Sequence, residues 1–158
     1  MGTLPPLPNW QELHPLVIHF PIVLLLLAPL FVVLGAALRS ERSRMFLISA
    51  LILMLLGTAS LYISTQTGDA ASRQHQLSPQ VSAVLLQHRT MAAETRTNFT
   101  VVTAMYGLLL LLTLRFRLDV GELAAFLPVA FIAFYALGIV QLLSIAHLGG
   151  QLVHKFGL

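Results

Sequence analysis

From Pro15 to Leu38 the chain runs for 24 residues without an Asp, Glu, Lys or Arg. Coiled as an α-helix at ~1.5 Å per residue, such a run is ~36 Å long and crosses a ~30 Å hydrocarbon core. It opens on His14-Pro15-Leu16-Val17-Ile18-His19-Phe20-Pro21-Ile22, two histidines and two prolines at the mouth of the apolar stretch. Membrane interiors offer polar groups little water, so these imidazoles must find partners in the protein or in something it binds. His14 and Pro15 read as N-cap and first helical residue. Pro21 and Pro29 each remove a backbone donor and free a carbonyl one turn earlier, which predicts bends.

The rest of the chain repeats the theme. Only 9% of residues are charged and 57% are hydrophobic, against about 25% charged in soluble domains. With a mean hydropathy of +0.85, the composition is that of an integral membrane protein. The formal charge of +3 reads as loop arginines that orient the chain, which argues against nucleic-acid binding. Cysteine is absent, which excludes disulfides, c-type haem attachment, Cys-ligated iron–sulfur clusters and thiolate blue-copper sites. No Lys or Arg precedes Arg39, so no cleavable signal peptide is expected.

Three further spans follow. The second runs from Met45 to about Thr65, with Gly57, Ser60 and Ser64 forming a face of small residues that admits a neighbouring helix or a flat ligand. Gly68 fits a helix stop. Ser78-Pro79 reads as the start of a third helix. Its Val81, Val84, Leu85, Ala92 and Phe99 keep helical spacing, with His88 on the same stripe. The uncharged apolar part, Phe99 to Leu114, is only 16 residues, so this helix is expected to begin outside the bilayer, with Arg89, Glu94 and Arg96 in water or headgroups. A fourth span runs from about Leu123 to Ile145, closed by His147 and Gly149-Gly150. Residues 1–158 thus make one all-α four-helix transmembrane domain.

With four spans, both termini share a side. All six histidines, His14, His19, His75, His88, His147 and His154, fall on that side together with Asp69. The two short turns opposite hold Arg39, Arg42, Arg44, Arg115 and Arg117, and the positive-inside rule places those turns in the cytoplasm. The histidine face, with both termini, is then extracytoplasmic in a bacterial inner membrane.

A histidine at a membrane interface is often only hydrogen-bonded, and His75 and His154 read that way. His19 and His88 interrupt apolar helical runs, where an unpaired imidazole costs on the order of 1–3 kcal/mol. They are the candidate axial pair for one b-type haem, with His14 as substitute for His19, His147 next in line, Asp69 as an acceptor that orients a ligand ring, and Gly57 as room for the ring. The alternatives are copper or zinc on the histidines with Met91, or a cofactor-free anchor in a redox complex. No Ser-His-Asp, HExxH or paired-carboxylate pattern argues for an enzyme.

His14-Pro15, His19-Phe20-Pro21, Gly68-Asp69, His88 and Gly149-Gly150-Gln151-Leu152-Val153, taken together, resemble an uncharacterised bacterial four-helix membrane domain family. The resemblance spans nearly the whole chain. Members are often fused to, or encoded beside, Rieske iron–sulfur and c-type cytochrome modules. That implies membrane electron transfer with a periplasmic cytochrome or Rieske-type partner; the resemblance brings no enzymatic activity with it. The family's closing motif has Tyr and then His after the Leu-Val pair; His154 and Phe156 stand there in this chain.

Overall fold

The computed structural model describes residues 9–10, 12–38, 41–73, 77–116 and 121–157, with the backbone alone at 41, 116 and 121–130. His75, the entry segment 1–8 and residues 117–120 of the second charged turn lie outside them. The elements are α1 (His14–Val17), α2 (His19–Ala37), α3 (Glu41–Ser72), α4 (Pro79–Phe116) and α5 (Gly121–Phe156). Four stretches are long and apolar enough to cross a membrane: His14–Ala37, Arg42–Ser72, Pro79–Arg115 and Phe131–Phe156. The protein is an all-α four-helix membrane bundle.

The break between α1 and α2 falls one turn before Pro21. Pro21 has no N–H to offer the Val17 carbonyl, and α1 ends at Val17. Ile18 keeps helical dihedrals, φ −60° and ψ −24°, so the two pieces continue as one span. The cap lies one residue earlier than the sequence suggests: Leu13 is the N-cap, His14 the first helical residue and Pro15 the second.

Three of the helices run longer than their apolar segments. Glu41 to Ser43, which read as part of a turn, already belong to α3, and the Ser43 hydroxyl donates to the Gly35 carbonyl at 2.6 Å. Gly68 does not stop α3, which continues to Ser72, and Gly149-Gly150 do not stop α5, which continues to Phe156. Gly68 and Gly149 serve side-chain approach rather than termination. The 38 residues of α4 make a rod of ~57 Å, about twice the hydrocarbon thickness. Its N-terminal half therefore projects beyond the apolar slab, as the short Phe99–Leu114 run requires.

The helices are apolar on both faces because lipid, not water, surrounds them. In α2, Leu25, Ala28 and Val32 are buried while Leu26, Leu30 and Val33 are exposed. The interior is closed by Met54 and Ala50 of α3, Phe99, Val102 and Tyr106 of α4, and Tyr135 and Leu142 of α5. Tyr135 meets Phe99 edge-on, with ring centroids 5.4 Å apart. Hydroxyls tie neighbouring helices: Thr58 to Thr103 at 3.0 Å, and Tyr106 donating to the Leu47 carbonyl at 3.0 Å. Asn98 of α4 donates from Nδ2 to Gln141 Oε1 of α5 at 3.1 Å.

One of these bonds answers a specific vacancy. Pro29 sits inside α2 and has no N–H for the carbonyl four residues earlier, that of Leu25. Leu25 is fully buried, out of reach of water. The Tyr135 hydroxyl, from α5, donates to that same Leu25 carbonyl at 2.7 Å. Replacing Tyr135 by Phe leaves the carbonyl unsatisfied and is expected to cost ~1–3 kcal/mol. In a Pro29→Ala background, where residue 29 regains its N–H, the cost of Tyr135→Phe should shrink markedly. A double-mutant cycle of unfolding free energies in detergent measures this, and equal costs in both backgrounds would refute the pairing.

Candidate functional site

At the end of the bundle where α2 begins and α5 ends, the quoted motif residues come together in one layer. His14 lies against α3: a Cβ built on Gly68 would sit 2.8 Å from His14 Cε1 and 3.2 Å from Nδ1. No side chain but glycine leaves room for that ring. Next in sequence, Asp69 Oδ1 takes an ion pair from Arg89 Nε of α4 at 3.0 Å, and Arg89 Nη2 donates to Ser72 Oγ at 2.6 Å. Arg89 is the neighbour of His88. His88 in turn lies on α5, where a Cβ at Gly149 would touch its Cε1 at 3.4 Å. The chain of contacts His14–Gly68, Asp69–Arg89, His88–Gly149 therefore crosses all four spans at one level.

The His14 ring is anchored on α3. Its Nδ1 is 3.2 Å from Thr67 Oγ1, and Thr67 is completely buried. The single hydrogen of the Thr67 hydroxyl also has the carbonyls of Ile63 at 3.1 Å and of Ser64 at 3.0 Å within reach. When that hydrogen is on a carbonyl, Thr67 accepts from His14 Nδ1–H, the tautomer in which an imidazole ligates through Nε2 with its other nitrogen anchored.

His88 is half-buried, and its Nδ1 is fully enclosed without a hydrogen-bond partner among the described residues. The Ile145 carbonyl of α5 and the His14 ring are neighbours of this imidazole. An enclosed, unpartnered imidazole nitrogen is costly unless something satisfies it.

The other expected site residues stand elsewhere. His19 is exposed on the outer face of α2, five residues and ~140° of helix rotation from His14. The room made by Gly57 is filled by Leu25, whose Cγ lies 2.7 Å from where a Cβ would be. Asp69 holds Arg89, with no bond to a histidine ring among those described. His147 is exposed, with its Nε2 2.9 Å from Gln151 Nε2. It lines an open groove of about 520 Å³ between α4 and α5, with Gln87, Met91 and Ser144. His154 is exposed one turn beyond Gln151. Among the described residues no three His, Cys, Asp or Glu side chains converge on a point.

Sequence reasoning missed Thr67, and the signal was present. The small-residue face Gly57, Ser60, Ser64 continues by one helical step to Thr67 and Gly68, provided that Gly68 is not taken for a stop. Arg89 is exposed, as expected; its bond to Asp69, 20 residues away across a loop, is what the sequence does not show.

The model of a protein family described as a predicted membrane protein, DUF2231, matches residues 11–158. No curated protein and no solved structure matches the chain.

A methyl group at position 68 is expected to displace His14 and to cost ~1–3 kcal/mol by overpacking. Asp69→Asn, which breaks an ion pair whose partners are 42% and 51% exposed, should cost no more than ~1 kcal/mol. Chemical unfolding of Gly68→Ala and Asp69→Asn in detergent checks the order. A larger loss for Asp69→Asn would mean that the ion pair, not the ring contact, holds the layer.

Proposed function

Starting from a chain that belongs to the DUF2231 family of membrane proteins, we propose that it is an electron-transfer subunit that holds one b-type haem between His14 and His88. One observation carries the reading: two imidazoles on different helices share one level at the bundle end, one anchored at Nδ1 by Thr67, the other with an enclosed nitrogen that lacks a partner among the described residues. Haem, when bound, supplies a reversible one-electron change. The protein's part is to fix the two rings. Thr67 holds His14 Nδ1, and glycine at 68 and 149 lets each ring lie against a helix. The pair differs from the His19–His88 pair expected from the sequence by one substitution, His14 for His19, because His19 points outward.

The bundle end that carries this layer faces the periplasm in this reading, with both termini there and the arginine-rich turns in the cytoplasm of a bacterial inner membrane. A periplasmic cytochrome or Rieske-type protein is the partner that such a site would serve.

Purified in detergent, the protein should show a Soret band and sharp α-bands on reduction. His14→Ala and His88→Ala should each abolish the bis-imidazole spectrum while helicity is kept, and His19→Ala should leave it unchanged. A colourless protein with stoichiometric copper or zinc would transfer the site to those metals. A colourless, metal-free one would make the chain a cofactor-free anchor, with the histidine layer as packing. Topology is tested separately: a reporter active only in the cytoplasm should give signal when fused at Ser43 and none at Leu158, and the reverse result overturns the orientation.

A further inference from the structure

Among the described arginines Arg96 alone is half-buried; it lies in a helix long and apolar enough to cross a membrane and has no ion pair among the described residues. Its surroundings are built rather than incidental. The guanidinium carbon stands 4.9 Å from the centroid of the Tyr62 ring of α3, a cation–π distance. Nη1 donates to Thr65 Oγ1 at 3.3 Å. Thr65 gives its own hydrogen to the Tyr62 carbonyl at 2.9 Å, so it is free to accept. Thr100 Oγ1 donates to the Arg96 carbonyl at 2.7 Å and so accepts from the Tyr62 hydroxyl at 3.1 Å, which fixes the aromatic ring beneath the guanidinium. Two helices thus hold the cation in a seam and satisfy one of the five N–H donors that a guanidinium carries.

Depth identifies what answers the remaining charge. Arg96 lies three residues before Phe99, where the 16-residue uncharged apolar run of α4 begins. Three residues are ~4.5 Å of helix, so the guanidinium is at the rim of the hydrocarbon, the level of lipid phosphates. Arg89, two turns further out, is committed to Asp69. Glu94 is on another face of α4, two positions away, where it cannot reach Arg96 along the helix. A planar donor fork with spare N–H groups matches a phosphate diester bidentately. With no carboxylate beside Arg96 to receive an ammonium, the match is to a headgroup with net negative charge.

We propose that the α3–α4 seam at Arg96 binds the phosphate of an anionic membrane glycerophospholipid. The lipid bridges the two helices that carry Thr67 and His88, one level below the histidine layer. The site stands independently of whether haem is bound there.

The test uses the full chain, delipidated in a non-ionic detergent and phosphate-free buffer, with phosphatidylglycerol as probe. Phosphatidylglycerol should raise the unfolding midpoint by several degrees, and native mass spectrometry should show one lipid retained per chain. Arg96→Gln should weaken retention by tenfold or more, and Arg96→Lys by a few-fold, since it keeps the charge and loses the fork. Equal retention by wild type and Arg96→Gln overturns the site. So does an equal effect of phosphatidylcholine, or reproduction of the whole effect by inorganic phosphate at the same concentration. If Arg96→Gln fails to fold, Arg96→Lys decides alone: binding equal to wild type overturns the role given to the guanidinium fork.

Discussion

In a bilayer, every backbone polar group must be answered by the protein itself, and the contact between Tyr135 and Leu25 shows what that rule demands of this fold. Pro29 leaves a carbonyl open at the most enclosed point of α2, where neither water nor lipid can satisfy it. The donor arrives from α5, 110 residues away in sequence. The bond is therefore also a register mark. It fixes how far along α5 packs against α2, and with that the level at which Gly149 meets His88. Proline in a membrane helix is tolerated on condition that another helix completes it, and the completion specifies the packing.

The same logic accounts for the order of polarity along the bundle. Deep in the membrane, polar side chains are few and spent on single helix-to-helix bonds, such as Thr58 with Thr103 and Tyr106 with the Leu47 carbonyl. Toward the histidine end they become denser and charged, with Arg96 at the rim and the Asp69–Arg89 pair beyond it. The extra length of α3, α4 and α5 past their apolar runs lifts the histidine layer toward the aqueous boundary. There, glycines hold the His14 and His88 imidazoles against helix backbones. In the haem reading this is where an electron carrier must be, near a surface and shielded on its sides.

Much of this was legible residue by residue. The uncharged run from Pro15, the short apolar part of α4 and the gathering of six histidines on one side give a four-span bundle with a projecting third span. His88 on the apolar stripe of α4 was readable because residues 81, 84, 85, 88, 92 and 99 share a helical face, and all are at least half-buried. The glycines misled. Gly68 and Gly149 look like helix ends, since glycine and polar residues follow apolar runs there, yet both helices continue. Glycine is also what a helix needs where another side chain presses on its backbone, and sequence does not distinguish the two uses.

Hydropathy and chain order alone give the solvent, the number of spans and the side on which the histidines gather. Which histidine turns inward follows from how the helices pack. His14 and His19 are equivalent in composition and context, and they differ only in the direction that ~140° of helix rotation gives them. That direction has meaning only once α3 is in place, with Gly68 open to one ring and Thr67 bonded to its Nδ1. Facing is a relation between helices, and no single stretch of chain contains it.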